Sequence, residues 1–263
     1  MPVDYGLLEA TELAIPTLPD ALEGIRIAHL TDLHIRRRRD RHTRIIDRLA
    51  RVRLDLILYT GDYMSYPGDE EPAAEVMTDI LSALKPRHGQ FGVFGNHDTF
   101  DLARRLHDLP ITWLNNRSVT LSHLNLEIFG LQGITPTGLD PVAVALDRDT
   151  DHQPAVRLGL VHNPSHAPAV ADLKADLIFC GHTHGGQCRP HPSIALANSC
   201  DLPKALSTGI LRHRNAQIAI SRGLGEIALP LRTFCPPHIP VYTLRKRSIP
   251  GTTTDSIKRL RWW

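Results

Sequence analysis

The sequence predicts an α/β protein on three observations. Short apolar runs alternate with amphipathic helical stretches, which implies a largely parallel sheet with right-handed crossovers. The first three apolar runs each stop at a polar cluster: Thr31-Asp32-Leu33-His34, Thr60-Gly61-Asp62 and Gly95-Asn96-His97-Asp98. A later run, residues 176–179, leads into Gly181-His182-Thr183-His184-Gly185-Gly186, a glycine-rich turn carrying two imidazoles one residue apart.

Residues 1–24 contain Pro16, Pro19 and Gly24 and read as an irregular or edge-strand lead-in. Residues 25–30 form a β-favouring run. Just past it, Asp32 and His34 stand two apart, so in extended chain they share a face. Ile45, Ile46, Leu49 and Val52 mark an amphipathic helix. Residues 54–59 are continuously apolar, as in a strand buried on both faces. The cycle repeats with a helical stripe of Val76, Met77, Ile80, Leu81 and Leu84 ending near Pro86, then a strand over 91–94.

A helix is predicted over 101–109. Residues 112–131 then alternate with period two through Val119, Leu121, Leu124, Leu126 and Ile128, as in an antiparallel pair. A short helix over 141–146 precedes a strand over 155–161 that stops at His162-Asn163-Pro164, and another helix reaches Lys174. Residues 188–205 read as a loop, and 217–221 and 239–244 as further strands. One domain is predicted over 25–245, with the lead-in before it and a basic, Trp-terminated tail over 246–263 after it.

With 263 residues, 42% hydrophobic and 22% charged, the chain can bury a substantial globular core. A net charge of +2, from 30 basic and 28 acidic side chains, predicts no wholesale attraction to nucleic acid or membrane, so any basic function must come from local clusters. Cys180, Cys188, Cys200 and Cys235 lack metal or framework spacing and read as reduced thiols, with Cys180 packed in the core. Residues 1–20 hold no basic segment followed by an apolar core, and no window approaches about 18 apolar residues. A cytoplasmic protein is expected. The Arg36-Arg37-Arg38-Arg39 run, with Arg41 and Arg44, is either a solvated helix start or a rim that steers anions. The tail, with Trp262 and Trp263, is either a disordered end or a peripheral contact with the inner membrane face. Oligomeric state is not legible.

The strand ends collect Asp32, His34, Asp62, Asn96, His162, His182 and His184 beside His97 and Asp98. Carboxylate, imidazole and amide donors without thiolate suit Mn, Fe, Zn, Co or Ni. Seven candidate ligands exceed what one four- to six-coordinate ion uses, so two ions are implied. His29, His123, His166, His191 and His238 carry no motif and read as surface or core residues.

In order and residue type, Asp32-x-His34, Gly61-Asp62, Gly95-Asn96-His97-Asp98, His162 and Gly181-His182-x-His184 resemble the five motifs of the calcineurin-like metallophosphoesterases, over about residues 25–244. Gly181 to Gln187 and the later Ser221-Arg222-Gly223-Leu224-Gly225 look like the bacterial YkuE/YaeI-type phosphodiesterases, a branch near the Chlamydia-type UDP-2,3-diacylglucosamine hydrolases. The resemblance implies a four-layer α/β/β/α sandwich of two mixed β-sheets. It assigns Asp32, His34 and His184 to one divalent ion, Asn96, His162 and His182 to a second, and Asp62 to both, with Mn favoured. His97 would be the general acid or transition-state donor, oriented by Asp98. The implied reaction is attack of metal-activated hydroxide on an anionic phosphodiester or pyrophosphate, with a lipid-linked substrate within its range. Gly61-Asp62-Tyr63-Met64-Ser65 lacks the second Asp of the fuller pattern, which leaves the support of Asp62 open. The competing functions are a cyclic-nucleotide phosphodiesterase or nuclease, the nucleic-acid version disfavoured by the near-neutral charge and the lack of stacking aromatics near the site, and a non-catalytic scaffold, disfavoured by the intact ligand set and His97.

Overall fold

The computed structural model describes residues 8–131, 133, 153–247 and 258–260. In its first half β1 (Leu8–Ala14) and β2 (Arg26–Leu30) are followed by α1 (Asp40–Ala50), β3 (Leu56–Thr60), α2 (Glu70–Ala83), β4 (Gln90–Val93), α3 (Phe100–Arg105) and β5 (Thr112–Trp113). The helices form where apolar residues recur at helical spacing. In α2, Ala73, Val76, Met77, Ile80 and Leu81 are buried as one stripe, and Glu70 and Glu71 in its first turn suit the positive end of the helix dipole. In β3 the burial is of the other kind: Leu56 and Leu58 enter one core while Ile57 and Tyr59 enter another. Successive strand residues face opposite ways, so a run apolar at every position requires cover on both faces.

The second half supplies β6 (Arg117–Leu121), β7 (Leu126–Gly130), β8 (Val156–Leu160), α4 (Ala167–Asp172), β9 (Leu177–Cys180), β10 (Gly209–His213), β11 (Ala216–Ile220), β12 (Ile239–Arg245) and β13 (Lys258–Leu260). The strands form two mixed sheets, ordered β1-β12-β2-β3-β4-β5 and β13-β10-β11-β9-β8-β7-β6. β2 to β5 are parallel in the first sheet, and β7, β8, β9 and β11 in the second. The chain returns to the first sheet through β12, which runs antiparallel to β2 and parallel to β1.

Three cores define four layers. Ile27, Leu56, Leu58 and Val93 of the first sheet meet Ile128, Leu158, Leu160 and Phe179 of the second between the sheets. Ile45, Leu49, Val76 and Ile80 of α1 and α2 cover the outer face of the first sheet. Ala167 and Val170 of α4 cover Ile178, Leu211 and Ile218 on the outer face of the second. This is the α/β/β/α sandwich that the resemblance implies.

The structure divides the stretch 112–131 between the sheets. Thr112 and Trp113 extend the first sheet beside β4, and the antiparallel pair in the second sheet is β6 and β7. The lead-in contains strand β1. β10, which the sequence does not announce, pairs with β11, and its other edge takes Lys258–Leu260 from the stretch read as a tail. The helix expected over 141–146 lies outside the described residues, as does most of the tail. Among the described residues no helix is long and apolar enough to cross a membrane.

Candidate metal centre

The polar clusters meet at one edge because β2, β3 and β4 of one sheet and β8 and β9 of the other end there. The segment after β2 runs along the segment after β3: Asp32 N–H donates to Gly61 O at 2.9 Å, His34 N–H to Asp62 O at 3.1 Å and Ile35 N–H to Tyr63 O at 2.8 Å. Across the seam, His182 N–H donates to the Asp32 carboxylate at 3.0 Å. Asp32, His34, Asp62, His182 and His184 all have positive φ, from 44° to 68°. Asp and His enter this left-handed region more readily than most residues. Each still costs on the order of 1 kcal/mol or more, and such strain collects at functional sites. Two glycines permit the close approach. A Cβ on Gly181 would collide with Thr31 Oγ1 and Asp32 Oδ2, and one on Gly95 with the Asp62 side chain.

The side chains gather into two groups. Asp32, His34 and His184 offer ligand atoms within 4.8 Å of one another, and so do Asp62, His162 and His182. In the first, His34 Nε2 and His184 Nε2 face each other at 3.0 Å, with His184 Nε2 3.5 Å from Asp32 Oδ1. Two imidazole lone pairs cannot face each other so closely without a proton or cation between them. In the second, His162 Nε2 lies 3.1 Å from Asp62 Oδ2 and 3.2 Å from His182 Nδ1. Asp62 Oδ2 is also 3.5 Å from His34 Nε2, so this one carboxylate borders both groups.

Outer hydrogen bonds set the tautomers. His162 Nδ1–H donates to Thr60 O at 2.6 Å, and His182 Nε2–H to Ser199 O at 2.8 Å. The opposite nitrogen of each ring faces its group, the usual arrangement for a histidine ligand. Burial pushes His34 down to about 3 and His182 to about 4, and holds His184 well below the usual range. These rings are therefore neutral, the ligand form. Burial would also lower His162, but the Asp62 charge outweighs it and raises the ring to about 9. Burial and the nearby Asp62 charge raise Asp32 to about 6, despite His162.

His97 and Asp98 part company. His97 N–H donates to Asp62 Oδ1 at 2.9 Å, and its ring stands edge-on to His34 at 5.0 Å between centroids. The expected orientation of His97 by Asp98 is not made. His97 Nδ1–H donates instead to Ser65 O at 2.6 Å, and among the described residues Nε2 has no partner. The buried Asp98 carboxylate accepts from the N–H groups of Asp62 at 2.9 Å, Tyr63 at 2.8 Å, Met64 at 3.4 Å and Gly95 at 2.8 Å. Asp98 thus clamps the two loops together, and this supports Asp62 in place of the missing second Asp. Asn96 is exposed on the turn before them.

Three supporting groups carry no sequence signal. Ser65 and Ser199 act through backbone carbonyls, which any residue could supply. Arg232 is buried, donating to His184 O at 3.2 Å and Gly225 O at 2.5 Å, with Nη2 3.3 Å from His184 Nδ1. Two of the motif-free histidines are core residues. His29 is fully buried on Thr60 Oγ1 at 2.8 Å, and His238 bonds Glu9 at 2.9 Å.

Comparison with known proteins gives a consistent result. The family model for calcineurin-like phosphoesterases matches residues 25–186, from the approach to β2 to the glycines just past His184. The metallophosphoesterase YkuE of Bacillus subtilis is 28% identical over 252 residues, covering 91% of this chain and 86% of YkuE. Phosphodiesterase YaeI of Escherichia coli is 30% identical over 197 residues, covering 72% of this chain and 70% of YaeI. The UDP-2,3-diacylglucosamine pyrophosphatase LpxG of Chlamydia muridarum is 25% identical over 301 residues, covering 90% and 89%.

Proposed function

The chain belongs to the calcineurin-like phosphoesterase family, and from that premise we propose that it is a two-metal hydrolase of phosphodiester or pyrophosphate bonds. The observation that carries this reading is the Asp62 carboxylate between the two ligand groups, 3.1 Å from His162 Nε2 and 3.5 Å from His34 Nε2. Asp32, His34 and His184 would hold one ion, His162 and His182 the other with Asn96 completing it, and Asp62 both. The donor set is oxygen and neutral nitrogen, which supports a divalent ion of the manganese, iron or zinc kind, with manganese the first to test. When bound, such ions neutralise phosphoryl charge and lower the pKa of water from about 15.7 to about 7.

The chain's own residues supply the rest. The Thr60 and Ser199 carbonyls keep His162 and His182 in the tautomers that face inward. The Ser65 carbonyl fixes the His97 ring, so its free Nε2 is the atom that would carry a proton. As a water oxygen bonds to phosphorus and the ester bond breaks, that proton passes to the departing oxygen. The four free thiols support a reducing, cytoplasmic setting. The likeness to LpxG supports a lipid-linked substrate as the finer reading.

Elemental analysis of the reconstituted protein, with hydrolysis of a model diester, a monoester, cyclic nucleotides and UDP-diacylglucosamine, tests this. Two ions per chain with diester or pyrophosphate turnover is the expected result. One ion per chain, or metal loading without turnover of any of them, overturns it.

A further inference from the structure

Among the described residues, every large apolar side chain that is exposed stands at the edge carrying the ligand groups. Tyr66 lies edge-on to the His97 ring at 6.4 Å, and Phe100 opens α3 three residues past His97. On the other side, Ile194 and Leu196 project from one loop and Leu229, Leu231 and Phe234 from a second, with Leu229 60% and Phe234 61% exposed. An apolar patch of this kind beside an active site marks a surface that something covers.

These two loops are braced. Both are tied to the turn that follows His184: Gln187 Nε2–H donates to Leu229 O at 2.9 Å, Arg189 N–H to Thr233 O at 3.0 Å and Thr233 N–H to Gln187 O at 3.1 Å. The buried Arg189 guanidinium donates to Gly185 O at 2.6 Å and Pro192 O at 2.5 Å, and buried Arg232 holds Gly225 O and Cys235 O. The apolar tips are therefore held outward while the neighbouring backbone groups find partners within the protein. Tips of that kind can leave water without stranding polar groups.

Charge identifies the covering surface. No acidic residue occurs from Leu177 through Cys200, nor from Ile227 through Arg247. Glu226, at the root of the second loop, is committed to Arg41 at 2.7 Å. Arg36 and Arg37 are exposed just after His34; the Arg36 guanidinium lies 5.3 Å over the Tyr66 ring with Asp69 3.9 Å away, a loose pair that leaves the exposed guanidinium open to a phosphate. The two loops carry no carboxylate of their own and stand beside exposed Arg36 and Arg37, and apolar tips in that setting match an anionic lipid surface that can yield around each tip.

We infer that this face docks on an anionic lipid bilayer, with the tips of the two loops entering the acyl boundary and Arg36 and Arg37 meeting headgroup phosphates. The ligand groups then open toward the membrane. Docking needs no turnover, so it stands or falls separately from the hydrolase reading.

Flotation of the full chain with vesicles of phosphatidylcholine, and of phosphatidylcholine with phosphatidylglycerol, measures it. The wild type is expected on the anionic vesicles, with partition falling on the order of tenfold for each apolar tip removed. The variants are Leu229→Ser and Phe234→Ser on one loop, and Ile194→Ser with Leu196→Ser on the other, so that a folding defect in one loop leaves the other to read. Circular dichroism and hydrolysis of a water-soluble diester should be unchanged in them. Failure of the wild type to float, or equal flotation of wild type and variants, overturns the proposal. So does a concentration-dependent dimer that the loop variants abolish, since the covering surface is then a second copy of the chain.

Discussion

His97 and Asp98 are neighbours in the chain yet reach the site by different routes, and substitution should separate them. His97 touches the Asp62 carboxylate only through its backbone N–H, so His97→Ala keeps that bond. Metal content should stay near two per chain while turnover falls by about 10²–10⁴. Asp62→Ala should lose both metal and turnover, because its carboxylate borders both groups. Equal metal loss in the two variants, measured by elemental analysis, would contradict this division. Asp98→Asn presents amide hydrogens to a ring of backbone donors and should destabilise by about 3 kcal/mol in urea unfolding. It should also weaken metal binding, since the segment that carries Asp62 is no longer clamped. The motif shows that an acid stands at position 98, but not that its partners are the N–H groups of residues 62 to 64. That pairing arises only when two loops from adjacent strands are laid side by side.

At the scale of elements, the lead-in strand is coupled to the metal edge. Glu9 of β1 bonds His238 and pairs with Arg222, while His238 Nε2 accepts the Arg222 N–H at 2.8 Å. The loop that follows, from Ser221 to Gly225, lies against Asp32, and Gly225 N–H donates to Asp32 O at 2.6 Å. Burial would raise the Glu9 carboxyl, but His238 and Arg222 outweigh it and hold the pKa at about 2, below the ordinary value of 4.5. A folded-state pKa below the unfolded one gives stability that is present above pH 4.5 and lost as the pH falls toward 2. Allowing for screening of a partly exposed carboxylate, the contribution is about 1–2 kcal/mol. Glu9→Gln should be less stable than wild type by that amount at pH 7, with the gap closing on acidification; a constant gap in urea unfolding across pH would show that the charge is not the cause. β1 was hard to read because Glu9 and Glu12 interrupt its apolar run on both faces, and neither residue's sequence context names a partner more than two hundred positions away. β10 was missed for a related reason: Gly209 to His213 is short and half polar, and becomes a strand only beside β11.

For the whole molecule, the metal edge is where the two sheets are joined. Strand–helix alternation with polar strand ends was legible because each depends on local spacing, and it correctly brought Asp32, His34 and Asp62 to one edge. Periodicity could not divide the strands between two sheets, since β2 to β4 and β7 to β9 obey the same parallel logic. That division decides what bound metal would do. Each ligand group draws from both sheets: Asp32 and His34 follow β2 while His184 follows β9, and Asp62 follows β3 while His162 and His182 follow β8 and β9. Five of the candidate ligands keep left-handed backbone angles, and across the seam the Asp32 carboxylate accepts from His182 N–H and Thr60 O from His162 Nδ1–H, contacts to which bound ions would add. Ions that bind only the folded chain stabilise it by about 2.7 kcal/mol at a hundredfold excess over Kd. For a domain of this size that is a rise in Tm of roughly 5–10 °C. Chelation of the loaded protein should therefore lower Tm by that amount, while Asp62→Ala should melt at the same temperature with or without chelator. Hydrogen exchange should rise on chelation at the ends of β2, β3, β8 and β9 and stay unchanged in β6, the edge strand of the second sheet. If the added exchange is spread evenly over both sheets, the ions stabilise the fold without joining its halves.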